Sequence, residues 1–312
     1  MIRILATDGI EKEAVQELMS LGFEVVQEFY AQEVLAEKVK EFDVLVVRSA
    51  TKVRCPILDA AAEAGRLKLV IRGGVGLDNI DVEHAREKGI TVTNTPNASS
   101  ASVAELAITH MLSLARHLPF ANISMGEGKW EKKACKGIEI AGKTLGLVGM
   151  GRIGRETAIR ASALGMRILY TNRSSHKPEN EPFSWVSLEE LLAQSDFISL
   201  HLPAKKDSDP LVDRQFIEKM KDGAYLINTS RGILISEPDL IDALDSGKLA
   251  GAGLDVYQEE PTKNERLFTH PKVSLTPHIG ASTKEAQLRI GKETVAHILK
   301  RFPMEEKYRG VS

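Results

Sequence analysis

Short apolar segments alternate with amphipathic, helix-like segments along the N-terminal part of the chain. Apolar runs bounded by polar residues or glycine predict strands, whereas apolar positions that recur every three or four residues predict helices. The predicted strands are residues 2–7, 23–26, 44–47, 69–71 and 90–93, and the predicted helices are residues 10–19 and 31–39. Because strands that alternate with helices form parallel sheets covered on both faces, the pattern predicts a layered α/β domain.

A second series of the same kind follows a long predicted helix at residues 101–116. Its predicted strands are the apolar run that ends at 148, then 166–171, 197–200, 224–228, 253–257 and 273–275, and its predicted helices are 155–161, 187–194, 215–219 and 238–246. The last predicted helix, 286–302, returns the chain to the first domain. We therefore expect a discontinuous first domain of residues 1–96 and 282–312, and a second domain of residues 97–281.

The segment 120–137, between the two series, is polar apart from Trp130, whose indole we predict to be buried. Two interpretations of this segment stay open. It is either an arm that packs against a second subunit or an ordinary helical excursion of the second domain.

Three glycines mark the start of the second series. Gly149, Gly151 and Gly154 follow a predicted strand and precede a predicted helix, with Arg152 and Ile153 inside the turn. In this context the first glycine permits the turn, the second lets a pyrophosphate approach the backbone, and the third lets helix and strand pack closely. The amide groups at the helix start would then hold the phosphates of a dinucleotide.

The cofactor itself stays open between NAD and NADP. An acidic residue about 20 positions after the glycines normally holds the adenosine ribose of NAD, but here the next strand ends in Asn172, Arg173 and Lys177. The two cations could receive a ribose 2′-phosphate, and Asn172 could bond to a free hydroxyl. A solvated turn is the third interpretation.

Two arginines follow strands of the first domain. Arg48 and Arg72 come directly after or at the end of predicted strands, and Arg72 leads into a turn that contains Gly74, Val75 and Gly76. Ligands of parallel sheets bind beyond the carboxyl ends of the strands. Two cations beside a turn that offers N–H groups to a carboxylate predict a small anionic substrate.

The composition is that of an ordinary globular protein, with 43% hydrophobic and 27% charged residues in 312. The 41 basic and 43 acidic residues nearly cancel, which argues against nucleic acid and against membranes as partners. The N-terminus resembles a strand rather than a signal peptide, so we expect a cytoplasmic protein. Because Cys55 and Cys135 form no ligand cluster, we expect reduced thiols and no metal site.

Three motifs at the ends of the last strands complete the pattern. They are Thr-Ser-Arg-Gly at 229–232, Leu-Asp-Val-Tyr-Gln-Glu-Glu-Pro at 254–261 and Thr-Pro-His-Ile-Gly at 276–280. With these motifs and the glycine turn, the chain resembles the D-isomer-specific 2-hydroxyacid dehydrogenase family over essentially its full length. The resemblance implies an α/β fold of two doubly wound parallel-sheet domains with a cleft between them. One would be a Rossmann-type nucleotide-binding domain and the other a flavodoxin-like substrate domain.

The resemblance also implies a catalytic set of Arg231, Glu260 and His278. Oxidation of a secondary alcohol removes its hydroxyl proton while a hydride leaves the carbon, and histidine suits the role of the base. A carboxylate on the other ring nitrogen, here Glu260, fixes the tautomer and favours the imidazolium. The planar fork of Arg231 would hold the substrate carboxylate and polarise the carbonyl oxygen.

Further cofactor contacts are expected near the ends of the same strands. Asp255 accepts a hydrogen bond either from the cofactor or from the protein scaffold, and both interpretations stay open. The other expected contacts are Val75, His201, Pro203, Thr229, His278 and Gly280.

Within the family, segments 47–53, 72–81, 94–97 and 128–131 resemble members that act on D-3-phosphoglycerate. The leading hypothesis is therefore a homodimeric enzyme of serine biosynthesis that interconverts D-3-phosphoglycerate and 3-phosphohydroxypyruvate. A rival hypothesis is a reductase of glyoxylate or hydroxypyruvate that uses NADPH. A third is a dinucleotide-sensing binding protein, because transcriptional corepressors share the fold. Since the chain stops at residue 312, no C-terminal regulatory domain is expected.

Overall fold

The computed structural model describes residues 1–172, 182–204 and 208–303. Contacts between Cα atoms divide the chain into two units. The first unit is Met1–Ser99 with the C-terminal segment that begins at Ala281, and the second unit is Ser100–Gly280. The expected boundaries, 96/97 and 281/282, differ from these by three residues at the first position and one at the second.

The strands are named in chain order. They are β1 (Arg3–Ala6), β2 (Glu24–Gln27), β3 (Val44–Val47), β4 (Leu69–Arg72), β5 (Thr91–Asn94), β6 (Thr144–Val148), β7 (Arg167–Thr171), β8 (Ser184–Trp185), β9 (Phe197–Leu200), β10 (Ala224–Asn228), β11 (Leu249–Leu254) and β12 (Val273–Leu275).

The α-helices are named in the same way. They are α1 (Lys12–Ser20), α2 (Gln32–Lys38), α3 (Cys55–Ala64), α4 (Val82–Glu87), α5 (Ser100–Ala115), α6 (Leu118–Gly126), α7 (Arg152–Ala163), α8 (Leu188–Gln194), α9 (Arg214–Lys219), α10 (Glu237–Ser246), α11 (Glu265–Phe268) and α12 (Lys284–Arg301).

The first unit is built on a five-stranded parallel sheet with the order β2-β1-β3-β4-β5. Side chains on successive residues of a strand point to opposite faces, so this sheet supplies two cores. Leu5 and Leu45 belong to one apolar cluster, whereas Ile4 and Val46 belong to the other. Strand order 2-1-3-4-5 is that of flavodoxin-like folds, in which ligands bind at the carboxyl ends of the strands.

The second unit is built on a seven-stranded parallel sheet with the order β12-β11-β10-β9-β6-β7-β8. Its strand order reverses between β6 and β9, which is the doubly wound arrangement of Rossmann-type domains. Two further apolar clusters cover the faces of this sheet, with Leu226 in one and Ile227 in the other. The predicted fold class, two doubly wound parallel-sheet domains of Rossmann and flavodoxin type, is confirmed.

One strand lies several residues from its predicted place. The pattern predicts a strand at 253–257, but β11 spans Leu249–Leu254. Glycines hide the start of this strand because they lie where helix α5 passes close to the sheet. A Cβ atom at Gly253 would lie 2.6 Å from the Cβ of His110, and one at Gly251 would lie 3.0 Å from Leu114.

The expected burial of Trp130 is wrong. Its side chain is 78% exposed, and it belongs to a group of exposed apolar side chains on and after helices α5 and α6. We call this group the arm patch, and its members are Leu112, Leu118, Phe120, Ile123, Met125 and Trp130. Within the described residues these side chains are between 38% and 78% exposed.

The helices of the described ranges fall short of the requirements of a membrane span. None of them is both long enough and apolar enough to cross a bilayer.

Candidate active site

The glycine turn between β6 and α7 is tightly constrained at two of its three glycines. Gly149 has a φ of 104°, and a Cβ atom there would lie 2.4 Å from the carbonyl oxygen of His201. A Cβ atom at Gly154 would lie 2.2 Å from the carbonyl oxygen of Gly149. Both positions therefore exclude a side chain, as the close packing of strand, turn and helix requires.

The middle glycine is different, because the space beside it is open. A Cβ atom at Gly151 would meet nothing within 4 Å. Gly151 is the N-cap of α7, and no side chain caps the helix there. The first amide groups of a helix have no partners within the helix, so this turn leaves donors that fit the pyrophosphate of a dinucleotide.

Two predicted cofactor residues on neighbouring strands each keep a buried polar atom without a partner. His201 follows β9 and Thr229 follows β10, and Leu200 pairs with Asn228 in the ladder between these strands. Within the described residues, Nδ1 of His201 and Oγ1 of Thr229 make no hydrogen bond. Buried polar atoms normally have partners, so these two atoms fit a polar group of a bound dinucleotide.

The ring of His201 is held on its other side. Its Nε2 lies 3.0 Å from the hydroxyl oxygen of Ser199. Burial lowers the pKa of His201 to about 4, so the ring is neutral near neutral pH. A neutral imidazole at the end of β9 adds no positive charge to the predicted cofactor site.

Asn172, at the tip of β7, is joined to the glycine turn. Its Oδ1 accepts a hydrogen bond of 2.7 Å from the backbone N–H of Met150. The two side chains predicted to meet a 2′-phosphate, Arg173 and Lys177, lie outside the described residues. Pro203, another predicted contact, lies exposed beyond β9.

Two members of the predicted catalytic set are in direct contact. Nδ1 of His278 lies 2.6 Å from Oε2 of Glu260, and Oε1 of Glu260 accepts a hydrogen bond from the backbone N–H of Tyr257. Burial would raise the pKa of Glu260, but the hydrogen bond and charge of His278 outweigh it and the pKa is lowered. An ionised carboxylate only accepts hydrogen bonds, so Nδ1 of His278 carries a hydrogen, and in the neutral form of the ring the lone pair is at Nε2.

Arg231, the third member, lies on a loop that packs against the loop of Glu260. A Cβ atom at Gly232 would lie 1.9 Å from the carbonyl group of Tyr257, so only glycine permits this approach. The positive charge of Arg231 also contributes to the lowered pKa of Glu260. The structure thus brings Arg231, Glu260 and His278 together at the carboxyl ends of β10, β11 and β12.

Asp255 organises the loop that carries His278. Its carboxylate accepts hydrogen bonds from the hydroxyl of Thr276 at 2.6 Å and from the backbone N–H groups of Ile279 and Gly280, both at 2.8 Å. His278 itself has a φ of 52°, a conformation that L-residues rarely adopt. Burial raises the pKa of Asp255 despite these bonds. The geometry favours the scaffold interpretation of Asp255, and Gly280 likewise uses its N–H within the chain.

Several residues that support the site lie outside the sequence predictions. The buried carboxylate of Glu237 accepts hydrogen bonds from the backbone N–H of Gln258, at 3.1 Å, and from Nδ2 of Asn264, at 2.7 Å. The side chain of Asn228 donates to the carbonyl oxygen of Arg231 at 2.8 Å. In the sequence, Glu237 looks like an ordinary acidic residue in the first turn of a helix. Its hydrogen bond with Gln258 joins residues 21 positions apart, so no local pattern reveals it.

The predicted substrate residues of the first unit lie at the carboxyl ends of neighbouring strands. Val47 pairs with Arg72 in the ladder between β3 and β4, and Arg48 is the residue after Val47. The guanidinium of Arg72 lies against Gly74, where a Cβ atom would be only 1.3 Å from Nη1. Gly74 therefore leaves room for Arg72 above the turn, and Val75, the next residue, is 37% exposed.

Within the part of the chain that the structure describes, no three His, Cys, Asp or Glu side chains are grouped so that they could hold a metal ion. The candidate site is therefore built from Arg231, Glu260, His278, the glycine turn and the unpartnered atoms of His201 and Thr229.

Comparisons with known proteins identify the family of the chain. A model of the "D-isomer specific 2-hydroxyacid dehydrogenase, NAD binding domain" matches residues 108–280. The hydroxypyruvate reductase of Thermotoga maritima is 49% identical over 303 residues, which are 96% of this chain and 97% of the relative. The D-3-phosphoglycerate dehydrogenase of Methanocaldococcus jannaschii is 45% identical over 294 residues, but the match spans only 56% of that relative.

A solved structure gives the same result for the fold. The glyoxylate reductase from Paecilomyes thermophila superimposes with a TM-score of 0.87 and 33% identity, covering 98% of this chain and 96% of that one. The chain therefore belongs to the D-isomer specific 2-hydroxyacid dehydrogenase family, whose members are NAD(P)-dependent dehydrogenases of D-2-hydroxyacids.

Proposed function

We propose that the chain interconverts D-3-phosphoglycerate and 3-phosphohydroxypyruvate, a reaction that supplies serine biosynthesis. The observation that supports this substrate is the pair of cations at the ends of β3 and β4. One cation, Arg231, is assigned to the substrate carboxylate, and Val75 and Gly76 offer backbone N–H groups that suit the same kind of anion. Arg48 and Arg72 are additional, and two adjacent arginines suit a second anionic group such as a phosphate.

The chemistry assigned to the chain is removal of one proton in step with hydride loss from the substrate carbon. His278 takes the hydroxyl proton at Nε2, because Nδ1 is bonded to the carboxylate of Glu260. Glu260 stabilises the imidazolium that results and keeps the ring in the useful tautomer. Arg231 holds the carboxylate and stabilises negative charge on the carbinol oxygen. The nicotinamide cofactor, when bound, accepts the hydride.

The cofactor contacts are proposed from the same geometry. The N–H groups at the start of α7, with Arg152 and Ile153, would hold the pyrophosphate, and Asn172 would face the adenosine ribose. His201 and Thr229 would use their unpartnered atoms toward the cofactor. The choice between NAD and NADP stays open.

Reduction of hydroxypyruvate or glyoxylate is the second candidate function. The observation that favours it is the match to the hydroxypyruvate reductase of Thermotoga maritima over 97% of that relative. The match to the D-3-phosphoglycerate dehydrogenase of Methanocaldococcus jannaschii is lower in identity and spans about half of that protein. This candidate keeps the roles of Arg231, Glu260 and His278 but needs no phosphate site.

Steady-state kinetics of the purified chain separate the two candidates. We expect turnover of D-3-phosphoglycerate, and we expect Arg72→Ala to lower kcat/KM for this acid by about 10-fold or more, since a hydrogen bond to a charged group contributes about 1.5–3 kcal/mol. Arg86→Ala is the control, because Arg86 is a solvent-exposed arginine of α4 paired with Glu83. If the chain turns over hydroxypyruvate or glyoxylate but not D-3-phosphoglycerate, with NAD and with NADP, the phosphoglycerate proposal is refuted.

We also propose that two copies of the chain associate through the arm patch. Exposed apolar side chains grouped on one element mark association surfaces in soluble proteins. The arm patch extends from Leu112 to Trp130, and a second copy would remove it from water. A homodimer is the simplest closed assembly that uses one such surface twice.

A further inference from the structure

A cavity of about 560 Å³ lies within the first unit, beside the end of β3 and the starts of α1 and α12. Its lining includes two cations, Arg48 and Lys284, and two acids, Glu11 and Glu13. The other lining residues are Ser282, Thr283, Gln287 and Leu288. Arg48 and Lys284 are thus brought to one cavity from distant parts of the chain.

The backbone of Arg48 is fixed, so its side chain has a defined origin. The N–H of Arg48 donates to Oδ2 of Asp8 at 2.6 Å, and its carbonyl oxygen accepts from Nδ2 of Asn79 at 2.6 Å. Asp8 also accepts from the N–H of Thr51 at 3.0 Å, which closes the loop after β3. The loop therefore presents the Arg48 guanidinium to the cavity from a rigid base.

The two cations have no partners of their own. In residues 1–172, 182–204 and 208–303, neither the Arg48 guanidinium nor the Lys284 ammonium forms an ion pair or a side-chain hydrogen bond, although Glu11 and Glu13 line the same cavity. Two cations without direct partners keep their hydrogen-bond donors available to an anion that enters the cavity.

Two neutral polar side chains of the cavity, Thr283 and Gln287, already have partners within the chain. The Thr283 hydroxyl accepts from the N–H of Ala286 at 3.2 Å as the N-cap of α12. Nε2 of Gln287 donates to the carbonyl oxygen of Ala281 at 2.6 Å. Arg48 and Lys284 are the two cationic donors of the cavity, and both have free hydrogen-bonding capacity for an incoming anion.

We propose that Lys284 acts with Arg48 as the site for the phosphate at the far end of the substrate. This inference rests on the proposed function and adds a residue that determines specificity for phosphorylated over unphosphorylated acids. A phosphate carries more charge than a carboxylate and offers three acceptor oxygens, so it can bond to a guanidinium and an ammonium at once. A plain hydroxyl at the same end of the substrate gains nothing from Lys284.

The test compares D-3-phosphoglycerate with D-glycerate, which lacks only the phosphate. Lys284→Gln should lower kcat/KM for the phosphorylated acid by about 10-fold, the effect of losing one charge-assisted hydrogen bond. The same variant should leave kcat/KM for D-glycerate unchanged, and Lys284→Arg should restore most of the loss. Lys292→Gln is the matched control, because it removes an exposed lysine from the same helix outside the cavity.

Inhibition by inorganic phosphate gives a second measurement that does not depend on turnover of the phosphorylated acid. Phosphate should compete with D-glycerate in the wild-type chain and in Lys292→Gln, and about 10-fold more weakly in Lys284→Gln. Equal effects of Lys284→Gln on both acids, or none on either, would refute the role of Lys284. Failure of the wild-type chain to oxidise D-3-phosphoglycerate would instead refute the proposed function, and with it a phosphate site for the substrate.

Discussion

Nδ1 of His278 lies 2.6 Å from Oε2 of Glu260, although 18 positions separate the two residues. The contact forms because β11 and β12 are neighbours in the sheet, and each residue lies on the loop that follows one of these strands. Hydrogen bonds from Thr276, Ile279 and Gly280 to Asp255 keep the His278 loop in place. The pair is thus oriented by the sheet before any ligand binds.

Removal of the proposed base should abolish most turnover, while the dinucleotide still binds. We expect His278→Ala to lower kcat by about 100-fold or more, as for loss of a general base, and to retain binding of the dinucleotide. Glu260→Gln keeps a neutral acceptor beside Nδ1 and should have a smaller effect on kcat. Stopped-flow rates and a fluorescence titration with cofactor measure both quantities. Unchanged turnover in His278→Ala would show that another group is the base.

The glycine turn allows a paired test of packing against ligand binding. Gly154→Ala places a Cβ atom 2.2 Å from the Gly149 carbonyl oxygen, so we expect a lower melting temperature from about 1–3 kcal/mol of overpacking. Gly151→Ala meets no protein atom within 4 Å, so its melting temperature should stay the same. Its methyl group should nevertheless weaken dinucleotide binding, because it occupies the space next to the α7 amide groups. Equal melting temperatures for the two variants would contradict this account.

The choice of cofactor should respond to the charge at residue 172. An aspartate there can accept the same hydrogen bond from the Met150 N–H, so the turn is expected to stay intact. Its negative charge should repel a ribose 2′-phosphate and accept bonds from the free hydroxyls of NAD. We expect Asn172→Asp to lower the ratio of kcat/KM for NADP to that for NAD by about 10-fold. Asn172→Ser, which adds no charge, serves as the control for loss of the amide.

Acid should destabilise the second unit through His110. This side chain is 1% exposed, with Nδ1 at 2.9 Å from the Ser274 hydroxyl and Nε2 at 3.1 Å from that of Thr276. Burial lowers its pKa to about 4 from the ordinary value of 6.5. Between these values the unfolded chain binds more protons than the folded chain, so stability falls as the pH falls.

The expected contribution is about 2 kcal/mol of unfolding free energy lost between pH 7 and pH 5. Chemical denaturation at both pH values measures this difference. His110→Gln keeps polar groups beside Ser274 and Thr276 but does not titrate. The unfolding free energy of this variant should therefore fall by about 2 kcal/mol less than that of the wild-type chain between pH 7 and pH 5. The same pH dependence in both proteins would show that His110 is not responsible.

A charge within the arm patch should prevent self-association. Ile123 is 62% exposed, and Ile123→Glu would place a carboxylate in the proposed apolar interface. We expect a dimer for the wild-type chain and a monomer for this variant in sedimentation velocity. Val34→Glu, at a 47% exposed apolar position of the first unit, is the control and should leave the dimer intact. A wild-type monomer would refute the proposed assembly.

Periodicity predicted most elements of the sheets because buried parallel strands are continuous apolar runs. Val44–Val47, Phe197–Leu200 and Ala224–Asn228 were placed at their observed bounds for this reason. The pattern failed at β11, where Gly251 and Gly253 interrupt the apolar run. Glycine there reflects the approach of α5 in space, which local sequence does not encode.

The fold class and the glycine turn followed from the sequence alone, because each depends on residue types at short spacings. The candidate set of Arg231, Glu260 and His278 followed from the resemblance of the surrounding motifs to a known family. Tertiary structure decided which side chains meet. It placed Asp255 under the His278 loop, Glu237 beneath the Glu260 loop, and Lys284 in one cavity with Arg48. It also exposed Trp130, since burial of an indole depends on what packs around it rather than on its neighbours in the chain.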